Sequence, residues 1–276
     1  MVQPLLVDEH PFDGLIRADR MPHIWCPGCG IGIVMRCYAQ AIINSGIDID
    51  KHVVVSGIGC SGRVAGYMNI DSYHTTHGRG IPFAMGLKLA NPELTVTVVS
   101  GDGDLAAIGG NHLIHAARRN IDITVICANN FNFGMTGGQM GPTTPYGAMS
   151  TTSTYGCPEH PFNLVNLLAA AGANFVSRWT TIHVRQVIDD VLYGFKKSGF
   201  SFIEVLAPCP VGFGKSNDLE QGIDETLLYR ERCVHKPDTP LDQLGIDLRE
   251  DQPIYVGRFI DRELPAYQPI IAEKQA

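Results

Sequence analysis

An α/β fold, with a mostly parallel sheet and helices on both faces, is predicted by three observations. Apolar β-type runs alternate with helix-periodic segments along most of the chain. Two of these runs, 94–99 and 121–128, are separated by a single helix-like stretch, 105–119. Each run then stops in a turn, Ser100-Gly-Asp-Gly-Asp104 after the first and Asn129-Asn130 after the second. A strand–helix–strand unit of this kind lays its strands parallel, with both C-terminal ends at one edge. Open α/β sheets bind ligands at that edge.

Composition bounds the answer. With 276 residues, 45% of them hydrophobic and 18% charged, the chain can bury one large α/β domain and carry an extension. A net charge of −7 gives no footing for nucleic acid. The first ten residues lack the basic start and long apolar core of a signal peptide, and no apolar run approaches a membrane span. A cytoplasmic protein is expected.

In chain order, residues 1–20 form an arm without a core of its own. Trp25-Cys-Pro-Gly-Cys29-Gly30 then leads into a segment with apolar residues at 31, 34, 35, 38, 41 and 42, the helical period. Residues 52–56 make a short buried strand ending in Gly57-Ile-Gly-Cys60-Ser61-Gly62-Arg63, where Gly59 and Gly62 allow close backbone approach. Tyr73 to Arg79 is a polar loop containing His74 and His77. It enters a helix with Pro82 in the first turn, and such an N-terminus can receive phosphate. The Ser/Thr-rich stretch 149–161 is expected to order only against a partner. Helix 162–171, strand 173–177, helix 182–197 and strand 200–206 follow, the last ending in Ala207-Pro-Cys209-Pro-Val-Gly212. Beyond Asp218 the chain is charged and punctuated by proline. One domain over residues 1–212, with 213–276 wrapping a neighbouring surface, is the expected organisation.

The two turns of the central unit suit a metal diphosphate. Gly101 and Gly103 bring the backbone close to a ligand, Asp102 offers a carboxylate oxygen and Asn130 an amide oxygen, and the following loop can add a carbonyl. That is a Mg²⁺ set with places left for two phosphate oxygens. Alone, Gly-Asp-Gly or Asn-Asn is an ordinary turn. Together, on strand ends joined by one helix, they resemble the motif of thiamine diphosphate-dependent enzymes.

Eight cysteines in a cytoplasmic chain are not expected to form a disulfide framework. Cys37 and Cys127 lie in apolar segments and read as core; Cys157 and Cys233 have no neighbouring ligand-type residue that demands a role. Cys26, Cys29, Cys60 and Cys209 differ, each flanked by Gly or Pro at an element end. Cys-x-x-Cys at a helix start suits a redox pair, a zinc half-site or an iron–sulfur half-site, although the stretch before it is not the strand that a thioredoxin-like pair follows. Four thiolates can hold Zn²⁺ or a [4Fe–4S] cluster, and spacing alone does not choose.

The order Cys-Pro-x-Cys-Gly, Gly-x-Gly-Cys-x-x-Arg, His-Gly-Arg, Gly-Asp-Gly, Asn-Asn and Pro-Cys, running from Trp25 to Gly212, resembles the β subunits of 2-oxoacid:ferredoxin oxidoreductases. The resemblance implies a thiamine diphosphate-binding fold carrying a [4Fe–4S] cluster on Cys26, Cys29, Cys60 and Cys209. It implies Mg²⁺ on Asp102, Asn130 and the carbonyl of Asn132. The cofactor would be lined by Gly59, Cys60, Ser61, His77, Gly101, Gly103, Asp104, Gly134, Met135 and Thr136. In the reaction so implied, the thiazolium is the electron sink for loss of CO₂ from a 2-oxoacid. Two electrons leave singly through iron–sulfur centres to ferredoxin, and coenzyme A takes the acyl group. An α subunit completing the site and supplying the activating glutamate is expected, in an αβ hetero-oligomer. Alternatives are a non-oxidative decarboxylase subunit with structural cysteines, and a zinc-stabilised scaffolding subunit.

Substrate choice rests on the loop Gly134-Met-Thr-Gly-Gly-Gln139. Broad-specificity relatives carry a pattern resembling Gly-Leu-Thr-Lys-Gly-Gln, so the lysine position here is Gly137. The Gly-Met-Thr-Gly-Gly-Gln form looks most like 2-oxoglutarate-type subunits, with pyruvate and branched-chain 2-oxoacids as alternatives. Arg63, three residues after Cys60, could take a substrate carboxylate or the diphosphate.

Overall fold

Strands His52–Ser56 (β1) and Thr124–Asn129 (β4) are buried at every position, so their sheet must be covered on both faces. The computed structural model, which describes residues 10–219, 221–249 and 252–267, shows how. The other strands of the sheet are Asp71–His74 (β2), Thr95–Gly101 (β3), Phe175–Thr180 (β7), Ser201–Leu206 (β8), Cys233–His235 (β9) and Ile254–Asp261 (β10). Asn132–Phe133 (β5) and Gln139–Met140 (β6) form a separate small antiparallel pair. The main sheet runs β2-β1-β3-β4-β8-β7-β10-β9. Its first six strands are all parallel, β10 lies antiparallel to β7, and β9 is parallel to β10.

Strand residues alternate between two cores. Val54, Val99, Ile126 and Ile203 join one face with Ile31, Val34, Tyr38, Val187 and Val191 of helices Ile31–Ser45 (α1) and Val184–Lys196 (α6). Val53, Val55, Val98, Val125 and Phe202 join the other. There they pack with helices Gly80–Ala90 (α3), Gly110–Arg119 (α4) and Leu164–Ala171 (α5). Two further helices are Arg63–Tyr67 (α2), between β1 and β2, and Asp224–Arg232 (α7), between β8 and β9.

Four local departures from the sequence reading have physical causes. The helix expected over 105–119 begins as a π-helical turn, Gly103–Ile108, closed by the i→i+5 bond from Gly109 N to Asp104 O, and only then becomes α4. Strand β2 lies where a polar loop was expected. It is mostly exposed, so its pairing with β1 leaves no apolar alternation to read. The stretch 149–161 is tied to its own chain: Met149 N donates to Asn217 Oδ1, Thr151 N to Gly138 O and Cys157 N to Ala148 O. The arm is anchored too, with Phe12 and Leu15 buried and Arg17 N bonded to Tyr67 O; residues 1–9 lie outside the described residues. The described part of the stretch read as an extension, 213–276, contributes α7 and adds β9 and β10 to the main sheet. Among the described residues no helix is long and apolar enough to cross a membrane.

His52, at the start of β1, is fully buried with Nε2 3.2 Å from Ser45 Oγ and no partner at Nδ1. Burial lowers its pKa from 6.5 to about 4. The neutral ring is what folds, so its contribution is whole above pH 6.5 and is lost as pH falls from there toward 4, up to about 3 kcal/mol. Urea unfolding of His52→Phe should therefore lose less stability than the wild type between pH 7 and 4.5; parallel curves would contradict this assignment.

Candidate active site

The C-terminal ends of β1, β3, β4 and β8, four neighbours in the sheet, deliver four loops to one place. Between the loops after β1, β2, β3 and β4 lies a cavity of about 120 Å³. Gly59, Cys60, Ser61, His77, Gly101, Asp102, Gly103, Asp104, Asn130, Asn132, Gly134, Met135 and Thr136 all line it, with Ile58 and Phe133. Arg63 stands apart, exposed at the start of α2 and outside that lining. The volume is well below the ~300–1,000 Å³ of a pocket that encloses a small molecule. Among the described residues no glutamate faces it.

Asp102 is fully buried. Burial pushes its carboxyl up to about 6, against the pull of hydrogen bonds from Thr143 and from the Asn130 backbone. Thr143 Oγ1 donates to Asp102 Oδ2 at 2.5 Å and Asn130 N to Oδ1 at 3.2 Å. One terminal amide atom of Asn130 lies 2.9 Å from the Asn132 carbonyl oxygen and 3.1 Å from Asp102 Oδ1. With nitrogen in that place the amide donates to both; with oxygen, three acceptors face one another. Neighbouring oxygens of an octahedral Mg²⁺ shell at ~2.0–2.1 Å lie about 3 Å apart, so the donor set and spacing fit that ion.

Asp104 has a different task. Its Oδ1 accepts from Gly78 N at 2.8 Å, Ile58 N at 3.1 Å and faces His77 Nδ1 at 2.5 Å, while Oδ2 accepts from Ser100 Oγ at 2.8 Å. One carboxylate thus ties the loops after β1 and β2 to β3. A Cβ on Gly57 would run into it, which explains glycine there. Gly103 is required for another reason: a Cβ would enter the ring of Phe133 on the opposite wall.

A second cavity, of about 240 Å³, is lined by Cys26, Cys29, Cys60 and Cys209, and it shares Cys60, Asn130, Gly134 and Met135 with the first. The cysteine loops are bonded to one another. Gly30 N donates to Pro208 O at 3.0 Å, and Trp25 Nε1 to Cys60 O at 2.8 Å. Burial pushes the Cys29 thiol up to about 12, with Cys209, Cys60 and Cys26 adding repulsion in that order. Burial also raises Cys60 and Cys209. Thiols held up by burial, with neighbouring cysteines opposing the ionisation of Cys29 and Cys60, fit a positively charged centre, which would relieve that cost. Among the described residues no group of His, Cys, Asp or Glu stands ready to hold a metal ion directly. A cluster bringing its own sulfides spans a wider gap than one ion. The remaining cysteines are elsewhere: Cys37, Cys127 and Cys157 are buried, and Cys233 opens β9.

Sequence reasoning missed Thr143 and Glu225. Thr143 belongs to a loop with no motif of its own. Glu225, on α7, accepts from Cys209 N at 2.9 Å, and burial pushes its carboxyl up to about 8. Its signal was hidden in a charged stretch where one more acid means nothing.

This arrangement, with phosphate-type loops at the C-terminal edge of a parallel sheet, defines a thiamine diphosphate-binding domain. Residues 57–205 match the family model described as thiamine pyrophosphate enzyme, C-terminal TPP binding domain. The chain is 48% identical to the 2-oxoglutarate synthase subunit KorB of Methanothermobacter marburgensis, over 94% of this chain and 90% of that protein. It is 37% identical to the 2-oxoglutarate oxidoreductase subunit KorB of Mycobacterium tuberculosis, over 87% and 72%. A solved structure, 2-oxoglutarate:ferredoxin oxidoreductase from Magnetococcus marinus with 2-oxoglutarate, coenzyme A and succinyl-CoA bound, superposes with a TM-score of 0.84 at 27% identity, covering 98% of this chain and 91% of that one. The chain belongs to the β subunits of 2-oxoacid:ferredoxin oxidoreductases, and within them is most like those for 2-oxoglutarate.

Gly103→Ala should weaken thiamine diphosphate binding at least tenfold, about 1.4 kcal/mol, because the new methyl and the Phe133 ring cannot both keep their places in the cavity wall. Calorimetric titration checks this; unchanged affinity would place the cofactor elsewhere.

Proposed function

We propose that this chain, with an α subunit, interconverts 2-oxoglutarate, coenzyme A and oxidised ferredoxin with succinyl-CoA, CO₂ and reduced ferredoxin. The observation that carries the reading is the shared wall: Cys60, Asn130, Gly134 and Met135 line both the cofactor cavity and the four-cysteine cavity. Thiamine diphosphate would supply the electron sink for decarboxylation, and a [4Fe–4S] cluster the one-electron relay. A non-oxidative decarboxylase has no use for four thiols placed there, and relatives named as oxidoreductase subunits favour the redox reading.

The chain's own residues divide the work. Asp102, Asn130 and the Asn132 carbonyl would hold Mg²⁺ against the diphosphate, with Gly101 and Gly103 letting the backbone close on it. Asp104 holds the imidazole of His77 at the cavity wall by its Nδ1, which leaves Nε2 free to meet a ligand. Cys26, Cys29, Cys60 and Cys209 would hold the cluster, with Glu225 fixing the Cys209 backbone. Because the described residues wall only part of a cofactor site and none of them offers a glutamate to it, the α subunit would supply the rest, including the activating carboxylate.

Substrate choice falls to the rim. Met135 and Thr136 line the cavity, and Gly137 has φ +118. A side chain there is strained, so a lysine at this position would need a different loop path. Arg63, exposed nearby in sequence, is the cation proposed for a substrate carboxylate or the diphosphate.

Three measurements test this. The αβ complex should prefer 2-oxoglutarate over pyruvate and 2-oxoisovalerate by at least tenfold in kcat/KM, about 1.4 kcal/mol, and the β chain alone should turn over none of them. Preference for a monocarboxylate would overturn the substrate, and activity of the single chain would overturn the split site. Cys209→Ala should lose iron while Cys37→Ala keeps it; the reverse would overturn the ligand set.

A further inference from the structure

Strands β7 and β8 carry an ion pair where a sheet interior ordinarily has apolar residues. Arg178 and Glu204 stand opposite each other in register, each 1% exposed, with Arg178 Nε 2.6 Å from Glu204 Oε2. Burying two charges is costly, and apolar replacements of such pairs are often no less stable. The reason for this pair lies in what its other oxygen does. Glu204 Oε1 accepts from Asn129 Nδ2 at 2.7 Å. That bond fixes which end of the Asn129 amide points which way, so Asn129 Oδ1 faces the opposite direction as an acceptor.

Two groups meet that acceptor. Phe131 N donates to it at 3.2 Å, holding a turn in which Phe131, a non-glycine residue, adopts φ +63. This turn carries Asn130 on one side and Asn132 on the other. Thr143 Oγ1 donates toward the same oxygen at 3.0 Å and toward Asp102 Oδ2 at 2.5 Å, so its single proton is shared between the amide oxygen and the nearer carboxylate and ties the two together. Asn129, Thr143 and Asp102 are all buried. A continuous path therefore runs from Leu244 O, which accepts from Arg178 Nη1 at 2.7 Å, through the ion pair to the amide and on to all three oxygens of the Mg²⁺ set.

We propose that the Arg178–Glu204 pair is a positioning device: by fixing the Asn129 amide it sets the turn that presents Asn130 and Asn132 and the hydroxyl that steadies Asp102, and so tunes Mg²⁺ affinity. The proposal rests on reading those three residues as the Mg²⁺ ligands. Neither Arg178 nor Glu204 touches the cofactor cavity: their contact path to it runs through Asn129, and the Glu204 charge, which also reaches Asp102 through space, is removed alike in both double variants below.

The amide logic gives a test that a purely structural role would not pass. In Arg178→Met/Glu204→Leu the pair is replaced by apolar groups and Asn129 loses the acceptor that orients it. In Arg178→Met/Glu204→Gln the glutamine carbonyl, released from the guanidinium, can face Asn129 Nδ2 and keep the amide as it is. Both lose the Leu244 bond equally. In the complex with the α subunit, the Mg²⁺ dissociation constant at saturating thiamine diphosphate is measured by calorimetry, and Tm without metal or cofactor is measured beside it. The Met/Leu variant should bind Mg²⁺ at least tenfold more weakly with Tm near wild type, and the Met/Gln variant should stay within about threefold. Thr143→Val, isosteric and remote from the ion pair, should lose at least tenfold as well, which keeps the test open if the Met/Leu chain does not fold. Wild-type Mg²⁺ affinity in Thr143→Val and in a folded Met/Leu variant, with Asp102→Asn still abolishing it, would overturn the positioning role alone. Full affinity in Asp102→Asn would overturn the ligand assignment, and this role with it.

Discussion

One carboxylate kept from water governs the site. Asp102 sits at the end of β3 with no exposure, where burial alone would favour its protonated form. Hydrogen bonds from Thr143 and the Asn130 backbone hold it, and a divalent cation among the facing oxygens would hold it further. The parallel sheet makes this possible, because only adjacent parallel strands bring the end of β3 and the end of β4 to one level. The register that pairs Gly101 with Ala128 puts Asp102 one step from Asn129 and Asn130.

The same register sets the four-cysteine cavity beside the cofactor cavity. Loops after β1 and β8 flank the central pair in the sheet order, and they bring Cys60 and Cys209 to the side of the cavity formed by β3 and β4. Cys26 and Cys29 precede α1 and are drawn in by the bond between Gly30 N and Pro208 O. The tail finishes the arrangement, since α7 sends Glu225 to the Cys209 backbone and β10, with β9 outside it, extends the sheet beyond β7.

Much of this was legible in the sequence for a physical reason: strand ends that approach a ligand need residues that nothing else needs. Gly101, Gly103 and the Asn129–Asn130 pair are uncommon outcomes of packing, so their spacing carries information, and all the residues read as lining the cofactor do line one cavity. Residues that act through others left no such mark. Thr143 is one threonine among several, Glu225 one acid in a charged stretch, and Arg178 and Glu204 are single charges inside apolar strands that become a pair only through strand register. Strand β2 was missed because its exposure erases alternation, and the π-helical turn because its cause, Asp104 reaching inward to Ile58 and Gly78, is a tertiary contact.

The central claim is that one chain holds a cluster and a thiamine diphosphate site side by side. Anaerobic purification of the complex, followed by quantification of iron, acid-labile sulfide, zinc and thiamine diphosphate per β chain, tests it most directly. The account predicts about four iron and four sulfide on the four cysteines with one thiamine diphosphate, and broad absorbance near ~400 nm. Stoichiometric zinc with no labile sulfide in those same preparations would contradict it.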